Sequence, residues 1–101
     1  MDQATLDQEL RALPGWTPVG GRIVKAFEFD GFRSAMRFVA RVADAAAGVD
    51  DQVAIEVTGG TATLAVFTPG TEAVTDTGLA LAHRIERLTG DHQHPVGLAG
   101  P

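Results

Sequence analysis

Two alternating runs on either side of a glycine pair constrain this chain more than any other stretch. Residues 50–58 read DDQVAIEVT and residues 61–68 read TATLAVFT, with Gly59-Gly60 between them. Adjacent glycines offer the two positive-φ positions that a two-residue hairpin turn asks for. If Thr58 and Thr61 close the turn, counting outward pairs Val57 with Ala62, Ile55 with Leu64 and Val53 with Val66 on one face. The other face takes Glu56 opposite Thr63, Ala54 opposite Ala65 and Gln52 opposite Phe67. The open end of the hairpin then sets Asp50, Asp51 and Gln52 beside Phe67 and Thr68, and chemistry is to be sought at that mouth.

The flanking segments supply a helical layer. Thr5 and Gln8 have capping-box spacing, Leu6, Leu10 and Leu13 share one helical face, and Pro14-Gly15 ends the helix. Trp16 leads into a short extended piece, TPV, and Gly20-Gly21 makes a turn. Residues 22–29 alternate as a strand, with Ile23, Lys25, Phe27 and Phe29 on one side and Val24, Ala26 and Glu28 on the other. Asp30 is placed to cap a helix over 31–47, in which Phe32, Ala35, Val39, Val42 and Ala46 recur at helical spacing. Gly48 stops it. Thr75 is placed to cap a last helix ending at Thr89-Gly90, with Val74, Leu81, Ile85 and Leu88 on its buried side.

This predicts an α+β fold: a four-stranded antiparallel sheet with three helices on one face, in the order α-β-β-α-β-β-α. At 101 residues the chain makes one domain, assigned to 1–90, with the Gly/Pro-rich 91–101 as a flexible tail. The edge strands carry no evident blocking charge or proline, which favours strand-to-strand dimerisation.

Composition excludes several function classes. A net charge of −5 argues against nucleic acid as a partner, because phosphate binding relies on clustered Lys and Arg. With no cysteine there is no disulfide framework, thiolate nucleophile or thiolate metal site. No apolar run approaches membrane-spanning length, and MDQATLDQEL is too acidic for a signal peptide, so a cytoplasmic protein is expected. No phosphate-cradling glycine loop and no Ser-His-acid spacing is present, and neither a cofactor nor a metal is expected. His92-Gln93-His94-Pro95 lacks further ligands in register, and His83 is expected to be an exposed structural residue on the last helix. Arg33, Arg37 and Arg41 form a stripe one turn apart, read first as a solvated face and second as a partner surface.

LPGW, IVKAFEFDGF, SAMRFVARVADAA, a hairpin, and VTDTGLALAHRIERL together resemble the pterin-4a-carbinolamine dehydratase family in element order and apolar spacing. The resemblance implies a His-His-Pro run where this chain has Val49, Asp50 and Asp51, and another His where it has Phe67. It also implies a Thr-x-x-Asp at the start of the last helix; Thr75 is kept, Gly78 takes the Asp place, and Asp76 stands two residues early.

The family's reaction removes water from a 4a-hydroxytetrahydropterin. A proton leaves a ring nitrogen and another reaches the departing hydroxyl, tasks that suit imidazole. Val49 and Phe67 can do neither. The expectation is therefore a dehydratase-like protein without the activity, binding a pterin or a protein client. Among catalytically degenerate relatives the resemblance extends to a dimeric RuBisCO assembly factor of carboxysome-forming bacteria. The cleft residues would be Val49, Asp50, Asp51, Gln52, Phe67, Thr68 and Thr75; the partner surface would be Arg33, Arg37, Arg41, Glu56 and Thr63. A homodimer or tetramer is expected. The alternatives are an active dehydratase using Asp50, Asp51 and Asp76 as acid and base, and a dimerisation cofactor of a transcription factor or enzyme.

Overall fold

The computed structural model describes residues 2–89, and the four strands among them make one antiparallel sheet. The elements are α1 (Gln3–Arg11), β1 (Thr17–Val19), β2 (Arg22–Glu28), α2 (Phe32–Ala46), β3 (Gln52–Thr58), β4 (Thr61–Phe67) and α3 (Asp76–Thr89). This is the predicted α-β-β-α-β-β-α order. The strands lie in the order β1-β2-β4-β3, so β4 is paired on both sides.

The β3–β4 register is the one counted from the turn: Val57 opposite Ala62, Ile55 opposite Leu64, Val53 opposite Val66 and Gln52 opposite Phe67. The turn itself differs from expectation. Only Gly59 has a positive φ, +57°. Gly60 is required for a different reason: a Cβ there would stand 2.5 Å from the Phe29 carbonyl oxygen. In that close approach the Phe29 N–H donates to the Gly60 carbonyl at 2.8 Å, tying the hairpin to the end of β2.

The helical layer covers the face that carries Ile23, Phe27, Ala62, Leu64 and Val66, all buried. Phe38 and Val42 of α2 and Leu79, Leu81, Ala82 and Ile85 of α3 complete the core, with Leu6 and Leu10 of α1 packed at its margin. Phe27 and Phe38 are 4.8 Å apart between ring centroids, and Trp16 meets Phe27 edge-on at 5.9 Å. Phe32, counted on the buried stripe of α2 from its spacing, is 58% exposed because it sits in the first turn, beyond the reach of the sheet.

Several end signals differ from the sequence expectation. Asp2, not the Thr5–Gln8 pair, caps α1, accepting the Thr5 N–H at 2.8 Å. The N-cap of α2 is Gly31, not Asp30, with no side-chain cap bond; its carbonyl accepts the Ala35 N–H at 3.1 Å. Thr75 caps α3 as expected, its hydroxyl accepting the Gly78 N–H at 3.0 Å. His83, expected to be exposed, is half-buried. The edge strand β1 carries Pro18, a residue that sheets tolerate only at edges, so one of the two edges is blocked after all.

Lys25 stands on the helix-facing side of β2 among apolar neighbours. Its Nζ donates to Glu86 Oε2 at 2.6 Å and to the Pro14 carbonyl at 2.9 Å, while Trp16 Nε1 donates to the same Glu86 oxygen at 2.8 Å. This pins α3 to β2 and to the turn after α1. Glu86→Ala leaves an ammonium and an indole N–H without their acceptor in a largely buried setting. The expected loss is about 2 kcal/mol, less than the 3–5 typical of fully buried pairs because both groups keep some water contact. Glu86→Gln, which keeps the indole's acceptor, loses about half as much; urea unfolding at constant slope measures both.

Thr5, through its hydroxyl first and its backbone N–H second, holds the Asp2 carboxyl below its ordinary value. A depressed folded-state pKa means that the cap's contribution is present above the unfolded value and is lost as pH falls through the folded one. The Thr5 amide resonance therefore shifts, and α1 frays, as pH is lowered below about 4. Asp2→Asn abolishes that pH dependence while keeping the helix capped.

Candidate functional site

Strand alternation decides which side chains face the helices beyond the hairpin's open end. Ala62, Leu64 and Val66 point inward, so the next residue of that parity is Thr68; on β3 the inward set Val57, Ile55 and Val53 continues to Asp51. Asp51 is 5% exposed, the one buried charged residue among those described. The loop after β4 then returns so that Thr75 and Thr77, at the start of α3, reach the same spot.

The hydroxyl protons there can be counted. Thr75 Oγ1 accepts the Gly78 N–H and lies 2.6 Å from Thr68 Oγ1, which donates to Asp51 Oδ1 at 2.5 Å. Thr68 has one proton and it is committed to Asp51, so Thr75 is the donor to Thr68. Thr77 donates to the same Oδ1 at 3.2 Å. The chain of hydroxyls therefore runs one way, from the α3 N-terminus to the carboxylate. The other carboxylate oxygen, Oδ2, accepts no hydrogen bond from a described residue.

A cavity of about 270 Å³ opens beside this carboxylate. Val49, Asp50 and Asp51 wall it from the α2–β3 connection, Thr68 from the end of β4, and Thr77, Ala80, Leu81 and Arg84 from α3. Val49, Asp50, Asp51 and Thr68 were expected in the cleft and are together in it; Thr75 stands behind Thr68. Gln52 and Phe67 leave their strands on the opposite face, where the Arg22 guanidinium lies 4.1 Å over the Phe67 ring. Asp76 is exposed at the first position of α3 and is not part of the wall. Arg33, Arg37 and Arg41 are exposed along α2, whereas Glu56 and Thr63 pair on the uncovered sheet face, so the two groups make separate surfaces. No three His, Asp or Glu side chains converge among the described residues.

The residues that sequence reasoning missed are on α3. Thr77, Ala80, Leu81 and Arg84 follow i, i+3, i+4, i+7 spacing, one face of a helix, and that periodicity was available to find them.

The pterin 4 alpha carbinolamine dehydratase family profile matches residues 1–88. The chain belongs to this family. It is 35% identical over 86 residues to a protein of Herpetosiphon aurantiacus, covering 85% of this chain and 90% of that one. A Thermomicrobium roseum protein is 32% identical over 88 residues, covering 87% and 95%. Both bear the name "Putative pterin-4-alpha-carbinolamine dehydratase". The fold is that of a crystal structure titled transcriptional coactivator/pterin dehydratase from Brucella melitensis, with a TM-score of 0.80, 23% identity, and coverage of 87% of this chain and 96% of that one.

Family membership sharpens one geometric point. A side chain at position 67 departs on the sheet's outer face, so it is position 68 of this chain that serves the cleft. The proton-handling groups in the cavity wall are thus the Asp50 and Asp51 carboxyls, the Thr68 and Thr77 hydroxyls and the Arg84 guanidinium. His83, the one histidine among the described residues, is not in the cavity wall, and the His92-Gln93-His94-Pro95 segment lies outside the described residues.

Thr68→Val removes the shorter of two donors to a buried carboxylate and also leaves the Thr75 hydroxyl only the longer 3.2 Å contact with Thr77. A loss of about 2–3 kcal/mol is expected, against about 1 kcal/mol for Thr77→Val, whose bond is longer. Urea midpoints of the two isosteric variants test that order.

Proposed function

We propose that this family member binds a pterin in the cavity beside Asp51 and does not catalyse the family's dehydration at a useful rate. One observation carries the reading: a buried carboxylate has one oxygen saturated by Thr68 and Thr77 while the other, Oδ2, faces no protein donor among the described residues. Buried acceptors are rarely left so, and a ligand N–H is the natural partner. The amino-pyrimidinone edge of a pterin presents such donors, and Ala80, Leu81 and Val49 offer apolar contact for the ring faces. The cavity of about 270 Å³ falls just below the range of about 300–1,000 Å³ usual for small-molecule sites.

Turnover needs more. A base must take a ring-nitrogen proton and an acid must protonate the leaving hydroxyl. Arg84 is permanently protonated, and threonine hydroxyls are poor acids whose protons here already point to Asp51. Of the carboxyls that the active-enzyme alternative would enlist, Asp76 stands outside the cavity wall; Asp50 and Asp51 are in it, and a carboxylate there can take a proton but leaves the departing hydroxyl without an acid.

A second reading has its own support. Among the described residues, nothing covers the outer sheet face, with Glu56 and Thr63 flanking Ala54 and Ala65, and nothing pairs with the long edge of β3. These features suit a cytoplasmic homodimer or tetramer acting on a protein client such as RuBisCO, the role of the family's non-catalytic assembly factors. No helix among the described residues is long and apolar enough to cross a membrane.

Calorimetric titration with a tetrahydropterin, run beside a dehydration assay on a 4a-hydroxytetrahydropterin, separates the readings. Binding in the micromolar range, weakened at least about tenfold (about 1.4 kcal/mol) by Asp51→Asn, with dehydration no faster than the uncatalysed rate, is the expected result. Fast dehydration lost in Asp51→Ala would establish an enzyme instead. Neither binding nor turnover would leave the protein-client reading.

A further inference from the structure

Resting on the pterin reading, we infer that Arg84 and Arg41 make this site selective for pterins whose side chain ends in an oxyanion, a carboxylate or a phosphate. The inference starts from a continuity between two hollows. Arg84 borders the cavity beside Asp51 and also a groove of about 330 Å³ between α2 and α3, walled by Arg41, Asp44, Ala45 and Leu88. The α3 face that begins with Thr77 and Ala80 in the cavity thus passes through Arg84 and ends with Leu88 in the groove. Arg84 is the lining residue the two hollows share, so a ring in the first brings its substituent to Arg84 and towards the second.

The guanidinium at the junction is held there. Arg84 Nη1 donates to the Ala45 carbonyl at 3.1 Å, in the last turn of α2, where the helix dipole favours a cation. That bond uses one N–H of five, and the remaining donors keep the fork geometry that meets carboxylate or phosphate oxygens in pairs. Arg41, one turn before Ala45, is exposed and makes no hydrogen bond or ion pair with a described residue. Against these two cations the groove sets one carboxylate, Asp44. The positive surplus is confined to the groove, since Asp50 and Asp51 lie on the cavity side of Arg84.

The polarity runs in one direction. Asp51 at the inner end takes a ring N–H and directs the rest of the molecule outward, past Arg84. A neutral hydroxyalkyl substituent gains little from two guanidiniums, whereas an oxyanion engages both.

Three probes test this on the full chain by titration calorimetry in about 50 mM salt: tetrahydroneopterin, its 3′-phosphate, and tetrahydrofolate. Both acidic pterins are expected to bind at least about tenfold tighter than the neutral one, and the tighter of the two names the oxyanion. In the R41Q/R84Q variant the ratio of acidic to neutral affinity falls to about one. In the unmodified protein the ratio shrinks several-fold by about 300 mM salt, since partly exposed charges are screened; this arm does not depend on the variant folding. Equal affinity for all three probes overturns the selectivity and leaves pterin binding standing. So does a preference that survives the double substitution or ignores salt. Failure of every pterin to bind overturns both.

Discussion

Strict two-residue alternation along β4 is the constraint from which the rest of the molecule follows. The strand is hydrogen-bonded to β2 on one side and β3 on the other, and its inward residues Ala62, Leu64 and Val66 are buried. A slip of one residue would expose all three and drive Thr63, Ala65 and Phe67 into the core, so the parity is fixed by burial. The same parity carries past the strand ends. It delivers Thr68 and Asp51 to the helix-covered side, where the N-terminus of α3 closes over them, and it sends Phe67 and Gln52 the other way.

How much of this could be read in advance depends on whether the cause was local. The hairpin register was legible because a glycine pair and two period-2 runs specify it within a short stretch. The Thr75 cap was legible for the same reason. Phe67 and Gln52 were assigned to the cleft by nearness to the hairpin's open end, although the alternation already in hand sends them outward. The burial of Asp51 was not legible. The alternation sends Asp51 inward and Asp50 outward, but how far Asp51 is enclosed depends on the returning loop and α3, which lie far along the chain. Capping of α1 and α2 shifted because several polar residues near each start compete for the same backbone groups.

Two partly or wholly buried charges organise the helical layer, and they contrast. Lys25 is matched at once by Glu86 and the Pro14 carbonyl, with Trp16 sharing the carboxylate. That arrangement is complete within the protein and fixes α3 along its C-terminal half. At the other end of α3 the Asp51 carboxylate is met by hydroxyls on one oxygen alone. The helix is thus anchored at one end by a closed polar network and borders an unfinished one at the other.

An unfinished network has a thermodynamic consequence. A carboxylate oxygen that no described protein donor reaches is available to a molecule in the cavity, and binding there stabilises the folded state by mass action. On the pterin reading, a bound molecule that donates to Asp51 Oδ2 would add to what keeps the hairpin's open end and the first turn of α3 together. Recognition and folding would then draw on the same atoms, the Asp51 carboxylate and the hydroxyls that orient it.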